Sequence, residues 1–229
     1  MSHPPCRYGR QVTPRTLADL PVAGPRPLLT YYDISTGERT ELSGASTANW
    51  VAKTGGFLTD EIDVEPGTRI RLGVPTHWLR FVWILAAWHA GAVIADTAAD
   101  VAFVGPDLAA DEPERVATRL HPMGLKFDTP PAGFVDFGHA VWSHPDAYVG
   151  PVVDAVDPAV ELDGVARTHA DVLATPGENR RLLVEPGSLV RDVDALVAAV
   201  LGGGSLVVVA HGDDADRARV AAQERAEIA

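Results

Sequence analysis

Apolar positions recur along this chain with two periods, and their order predicts alternating strands and helices. Val193, Leu196, Val197, Val200 and Leu201 fall at i, i+3, i+4, i+7 and i+8, lining one face of a helix. Gly202-Gly203-Gly204 ends that helix. The run Ser205-Leu206-Val207-Val208-Val209 then reads as a strand buried on both faces, and 214–228 as an acidic-started helix. Upstream, the pattern predicts a helix over 78–90. Trp78, Phe81, Val82, Leu85 and Trp88 form one stripe, and Trp83, Ile84, Ala86 and Ala87 fill most of the opposite face. A helix apolar on both sides is covered on both sides, and Gly91 stops it. Short apolar runs at 69–74, 92–95, 101–105 and 182–184 read as strands.

Nearer the N-terminus, β-rich runs at 28–32 and 39–42 flank Ser35-Thr36-Gly37 and predict a hairpin. Ser43 is placed to cap a helix over 45–58, before Glu65-Pro66-Gly67 breaks the pattern. Pro4, Pro5, Pro14, Pro21 and Pro25 make the first stretch an irregular arm with one helical turn around Leu17. Between 104 and 159 the periodicity weakens to one acidic-started helix over 111–120 and a Pro- and Gly-punctuated stretch. The whole predicts a layered α/β/α fold with a mostly parallel sheet, preceded by the hairpin. The arm occupies 1–27 and a single α/β domain 28–229.

Composition narrows the function. With 46% hydrophobic and 22% charged residues, the 229-residue chain has the material for a core and is not disordered. Its 31 acidic and 19 basic residues give a formal charge of −12, which disfavours nucleic acid and anionic membrane surfaces as partners. No apolar run is long enough to span a bilayer. Cys6, the single cysteine, allows no internal disulfide and no cysteine-based zinc cluster. The first ten residues lack an apolar signal core, so the expected compartment is the cytoplasm.

The common catalytic signatures are missing. The two lysines, Lys53 and Lys126, do not follow a glycine, which excludes Gly-x-x-x-x-Gly-Lys. Gly-x-Gly-x-x-Gly, Gly-x-Ser-x-Gly and His-Glu-x-x-His are absent too. Gly202 to Gly204 follow a helix and precede a strand, the reverse of a phosphate cradle. Asp136, His139, His144 and Asp146 are metal ligands by residue type, but Gly138 and Pro145 interrupt any face that would converge them. They read as a polar surface loop, and no metal or other cofactor is expected.

Several segments resemble one family, the adenylate-forming enzymes: acyl-CoA synthetases, luciferases and peptide-synthetase adenylation domains. Leu29-Thr30-Tyr31 before a helix resembles their "LTY-x-E-L" opening, and residues 64–70 resemble their "gv-x-x-GDrV" turn into a strand. Residues 74–78 through 90–93 resemble "lpNs-x-e…a-x-lA-x-lkaGav", and 101–104 match the strand that follows. Residues 164–174 resemble "GV-x-x-tH-x-nl-x-a", and 196–208 resemble "l-x-x-l-x-x-Gg-x-vvl". The chain is also similar to an uncharacterised actinobacterial family related to AMP-binding enzymes. The resemblance implies the fold of the first subdomain of these enzymes.

It also implies a missing activity. The family's phosphate loop, "TSGTTG-x-PKG", should end at Gly164. Residues 155–164 hold no Ser, Thr or Lys, one glycine, and the three carboxylates Asp157, Glu161 and Asp163. Each carboxylate repels a phosphate where small hydroxyls and glycines would cradle it. The degenerate site therefore comprises Asp157, Glu161, Asp163, Gly164, Thr168 and His169, and ATP is not expected to bind there.

Three readings follow. One is a pseudoenzyme that holds a small ligand or a partner protein, and another is a structural subunit of a larger assembly. The third is a small enzyme of another class, using Asp136, His139 and His144, or Thr168 and His169. A homo-oligomer or hetero-partner is expected to cover the last strand, 206–209, and last helix, 214–228, which the resemblance places at a sheet edge.

Overall fold

The computed structural model describes residues 14–228; Cys6 and the start of the arm lie outside them. Two sheets, rather than one, organise these residues. The first has the order β12-β10-β11-β1-β2, built from Glu227–Ile228 (β12), Arg181–Val184 (β10), Ser205–Ala210 (β11), Pro27–Asp33 (β1) and Glu38–Ser43 (β2). The second has the order β7-β6-β5-β3-β4-β8-β9. Its strands are Val135–Asp136 (β7), Glu114–Ala117 (β6), Val101–Val104 (β5), Arg69–Leu72 (β3), Val93–Ala95 (β4), Pro158–Leu162 (β8) and Val165–Thr168 (β9). All pairings are parallel except the two hairpins, β1–β2 and β8–β9.

Helix α2, Trp78–His89, lies between the sheets and touches β1 of one and β3 and β4 of the other. Every residue from Trp78 to Trp88 is buried, as a helix apolar all round requires. Trp83 stacks on Phe103 at 3.8 Å, and Trp88 donates its indole N–H to the Ala159 carbonyl at 3.1 Å, tying α2 to the second sheet. Helices α1 (Gly44–Asp60) and α5 (Leu189–Gly202) flank α2. Ser43 caps α1 through Ser46 N–H. Gly203 closes α5 in the left-handed conformation, φ 71°, as the glycine run predicts. Short helices α3 (Phe137–Ala140) and α4 (His169–Leu173), and α6 (Asp214–Glu224), complete the layers. The turn around Leu17 forms as 3-10 helix over Leu17–Asp19, with Leu17 only 2% exposed.

Two expectations are corrected. Residues 111–120 are not a helix, because β6 occupies Glu114–Ala117 and pairs with β5 from Val101↔Glu114 to Val104↔Ala117. Pairing buries Val116 and Ala117 completely, a gain that overrides local helix preference. The acidic residues read as a helix start serve another end: Glu112 holds the Arg71 guanidinium with both carboxylate oxygens. Likewise, 206–209 is not an edge. β11 is interior, between β10 and β1, and Leu206 to Val209 are each at most 1% exposed. No helix among the described residues is long and apolar enough to cross a membrane.

Candidate functional site

In an open parallel sheet, ligands bind beyond the carboxyl ends of the strands, where the chain leaves one strand in opposite directions. Here that point is β3. The chain runs from β3 through α2 to neighbouring β4, then crosses back to β5 on the other side of β3. A crevice of about 440 Å³ opens there, lined by Gly73, Val74 and Pro75 after β3, Gly105, Pro106 and Asp107 after β5, and Leu120. Arg80, from the first turn of α2, also lines it.

Arg80 is fully committed to the protein. Its Nε–H donates to the Val74 carbonyl at 2.9 Å, and Nη1 pairs with Asp192 Oδ2 at 2.5 Å. Thr76 Oγ1 donates to the same carboxylate at 3.0 Å and accepts from Gly187 N–H at 3.2 Å. Arg80 and Asp192 are 8% and 2% exposed. Burial pushes the Asp192 carboxyl up, against the pull of the Arg80 cation. The cluster ties the loop after β3 to the start of α5, and the crevice's one guanidinium is not free to take an anion.

His77 caps α2 by accepting Leu79 N–H on Nδ1 at 3.2 Å, which leaves the proton on Nε2. That nitrogen is buried without a hydrogen-bond partner, 3.9 Å from Glu38 Oε1. Burial lowers the His77 pKa to about 3, so the ring is neutral, and burial raises that of Glu38.

At the carboxyl ends of β1 and β11 sit three residues that resemble a hydrolytic triad by type. Asp33 Oδ1 lies 3.0 Å from His211 Nδ1 and accepts from Ser35 Oγ at 2.6 Å. Burial pushes Asp33 up, but the hydrogen bonds from Ser35 and His211 outweigh it and hold the carboxyl below its ordinary value. A triad places acid and hydroxyl on opposite imidazole nitrogens. Here both face Nδ1, Ser35 at 3.5 Å, and the serine proton goes straight to the acid. The geometry activates nothing.

The predicted phosphate-loop residues make a hairpin. Residues 158–162 are β8, and Asp163 and Gly164, at φ 52° and 73°, are the whole connection to β9. Two central residues with positive φ are the pattern of a type I′ hairpin turn. Glu161 is ion-paired with Arg69 on β3. Asp163 donates its backbone N–H to the Asp96 carboxylate at 2.7 Å, which sets a second acid at the turn. Asp157 accepts Asp154 N–H at 2.7 Å, at the far end of β8. Thr168 spends its hydroxyl on a capping box with Asp171 at the start of α4. His169 is wholly buried and accepts Leu17 N–H on Nδ1 at 3.1 Å.

The four metal-type residues do not converge. Asp136 is buried and accepts Phe127 N–H at 2.9 Å, whereas His139 is exposed. His144 pairs through Nε2 with Glu61 at 2.9 Å, and Asp146 pairs with Lys53 at 2.9 Å. Among the described residues no group of three His, Cys, Asp or Glu could hold a metal ion.

No family model matches the chain. It is 35% identical over 250 residues to a TIGR03089 family protein of Mycobacterium tuberculosis, covering 98% of each chain. Among solved structures, the fold is similar to a Brucella canis acyl-CoA synthetase (TM-score 0.76, 15% identity, 93% of this chain and 46% of that one). It is similar also to the acetoacetyl-CoA synthetase of Streptomyces lividans (0.74, 19%, 92% and 41%). A Mycobacterium tuberculosis fatty acyl CoA synthetase gives 0.64 at 16% identity, over 87% and 45%. The chain thus has the fold that the sequence resemblance implies, and it spans less than half the length of these three proteins.

Proposed function

The chain belongs to the TIGR03089 family, and from that premise we propose that it is a pseudoenzyme, a scaffold of the acyl-CoA synthetase type that does not form acyl adenylates. Its task is to bind a small ligand or a partner protein. The observation that carries this reading is the Asp163–Gly164 turn. The resemblance sets a loop of about ten residues ending at Gly164, able to wrap successive N–H groups around a phosphate chain, where this chain runs β8 into a two-residue turn. A two-residue turn presents no such concavity. The acids Asp96 and Asp163 add repulsion, and the nearby cations are taken, Arg69 by Glu161 and Arg167 of β9 by Asp194.

What the scaffold retains is the crevice of about 440 Å³ beyond β3 and β5, within the size range of small-molecule sites. With Arg80 neutralised by Asp192, the charge left in its lining is the Asp107 carboxylate, so it suits a small ligand that is not an anion. Catalysis by Thr168 and His169 is disfavoured because the hydroxyl caps α4 and the imidazole is sealed in the core.

ATP–pyrophosphate exchange tests the reading. Purified protein with ATP, Mg²⁺ and a panel of short, medium and long carboxylic acids should exchange no label above the protein-free blank. Exchange that co-elutes with the protein on gel filtration would overturn it.

A further inference from the structure

We propose that the crevice beyond β3 and β5 is a site for a small organic cation, an amine on a short apolar body, with Asp107 as its counter-ion. This names the ligand class for the small-ligand half of the reading above and rests on that reading. The space belongs to Gly105. Its φ lies outside the left-handed range, and a Cβ built on it would meet only ordinary contacts, so neither backbone conformation nor crowding requires glycine there. That point is instead where three side chains of the crevice lining converge. Leu120 Cδ1 lies 3.5 Å from it, and Asp107 Oδ1 and Pro75 Cδ each lie 3.8 Å from it. A side chain larger than that of alanine at 105 would stand in the crevice.

The loop after β5 is shaped to the same end. The Gly105 carbonyl accepts Leu108 N–H at 3.1 Å, a tight turn that folds Asp107 back over Gly105. Leu108 and Leu120 both take the left-handed backbone conformation, φ 53° and 54°, which leucine seldom adopts. Strain of that kind persists where it sets side chains at a site. Leu72, Val74, Pro75, Pro106 and Leu120 give an alkyl or aryl body apolar surface to lie on.

Charge decides the sign of the ligand. Arg80 is held by Asp192 and the Val74 carbonyl, and Arg71 by both carboxylate oxygens of Glu112. At longer range Asp107 and Asp111 act on Arg71, and Arg191 acts on Asp192. Four acids therefore face three cations around the crevice, and Arg119, beside Leu120, is neutralised by Asp128. With both guanidiniums taken, Asp107 is the lining group whose charge is left unmatched. The −12 of the whole chain adds to its field, so a cation is drawn in and an anion turned away. A bare metal ion needs several ligand oxygens, and among the described residues no group of three His, Cys, Asp or Glu could hold one. An organic cation needs one carboxylate and an apolar wall, and both are here.

The test follows the backbone amides of the full, isotope-labelled chain by NMR while ethyl-, butyl- and benzylammonium chloride are titrated, with the matching alcohols and carboxylates as controls. At least one amine should shift the Gly73, Gly105 and Leu120 amides saturably and bind about fivefold tighter than its alcohol, while its carboxylate does not bind. Asp107→Asn should bring amine and alcohol to within about twofold of each other without moving the melting temperature, since the side chain is exposed. Gly105→Val should abolish binding of both; should it fail to fold, Asp107→Asn decides alone. No saturable shift with any amine, shifts confined to other parts of the chain, equal affinity for amine and alcohol, or amine binding unchanged by Asp107→Asn overturns the proposal. Pyrophosphate exchange with amine binding intact would remove the non-adenylating reading alone. Failed amine binding in a protein silent toward ATP would remove only the cation site.

Discussion

Leu17 and His169 meet across 152 positions of sequence, the backbone N–H of one donating to Nδ1 of the other at 3.1 Å. The bond exists only while the imidazole is neutral. Burial secures that, lowering the His169 pKa from 6.5 against the pull of Asp157 and Asp19. In this way the turn Leu17–Asp19 is fastened to the start of α4.

A pH dependence follows from that contact. Because the folded pKa is depressed, the contribution is complete above 6.5 and declines as pH falls toward the lowered native value, the unfolded ring taking up its proton first. His77, lowered to about 3, acts in the same direction. His169→Gln keeps an acceptor for Leu17 and cannot titrate. Between about pH 7 and pH 5 the native protein should lose more melting temperature than this variant. Parallel profiles would contradict the assignment.

The Arg80–Asp192 pair makes a second prediction. Removing one partner leaves a buried charge uncompensated, so Asp192→Ala should cost about 3–5 kcal/mol in urea unfolding. Arg80→Met combined with Asp192→Leu should recover most of that loss, because an apolar pair of similar volume has no charge to desolvate. If the double variant is no better than the single one, the cluster's value lies in its hydrogen bonds to Thr76 and Val74.

Gly164 tests the hairpin turn. It sits at φ 73° with open space where a Cβ would go, so Gly164→Ala meets no clash. The cost should be the backbone penalty alone, about 1–2 kcal/mol by chemical denaturation. A neutral substitution would mean that the turn does not hold this conformation in solution.

Local pattern made most of the elements legible. The five-residue stripe from Val193 to Leu201 marks α5, and the apolar circumference of 78–90 marks a helix enclosed between layers. Pairing partners were not legible. The interior place of β11 depends on its register with β1, Leu29↔Leu206 onward, and no local signal reports a strand 177 positions away. β6 has the local look of a helix because Asp111 and Glu112 imitate a helix start, whereas Glu112 holds Arg71 and the strand supplies β5 with a partner. The acids at 157, 161 and 163 are legible in the sequence as residues unsuited to cradling a phosphate. The Thr76–Arg80–Asp192 clamp was hidden, since Thr76 and Asp192 lie 116 positions apart.

Titration calorimetry with ATP·Mg²⁺ bears most directly on the central claim, that a scaffold of the acyl-CoA synthetase type has lost its nucleotide site to the Asp163–Gly164 turn. The prediction is a featureless heat of dilution, with no saturable binding in the micromolar range. A one-to-one isotherm in that range, abolished by substituting the residues of this turn, would contradict it.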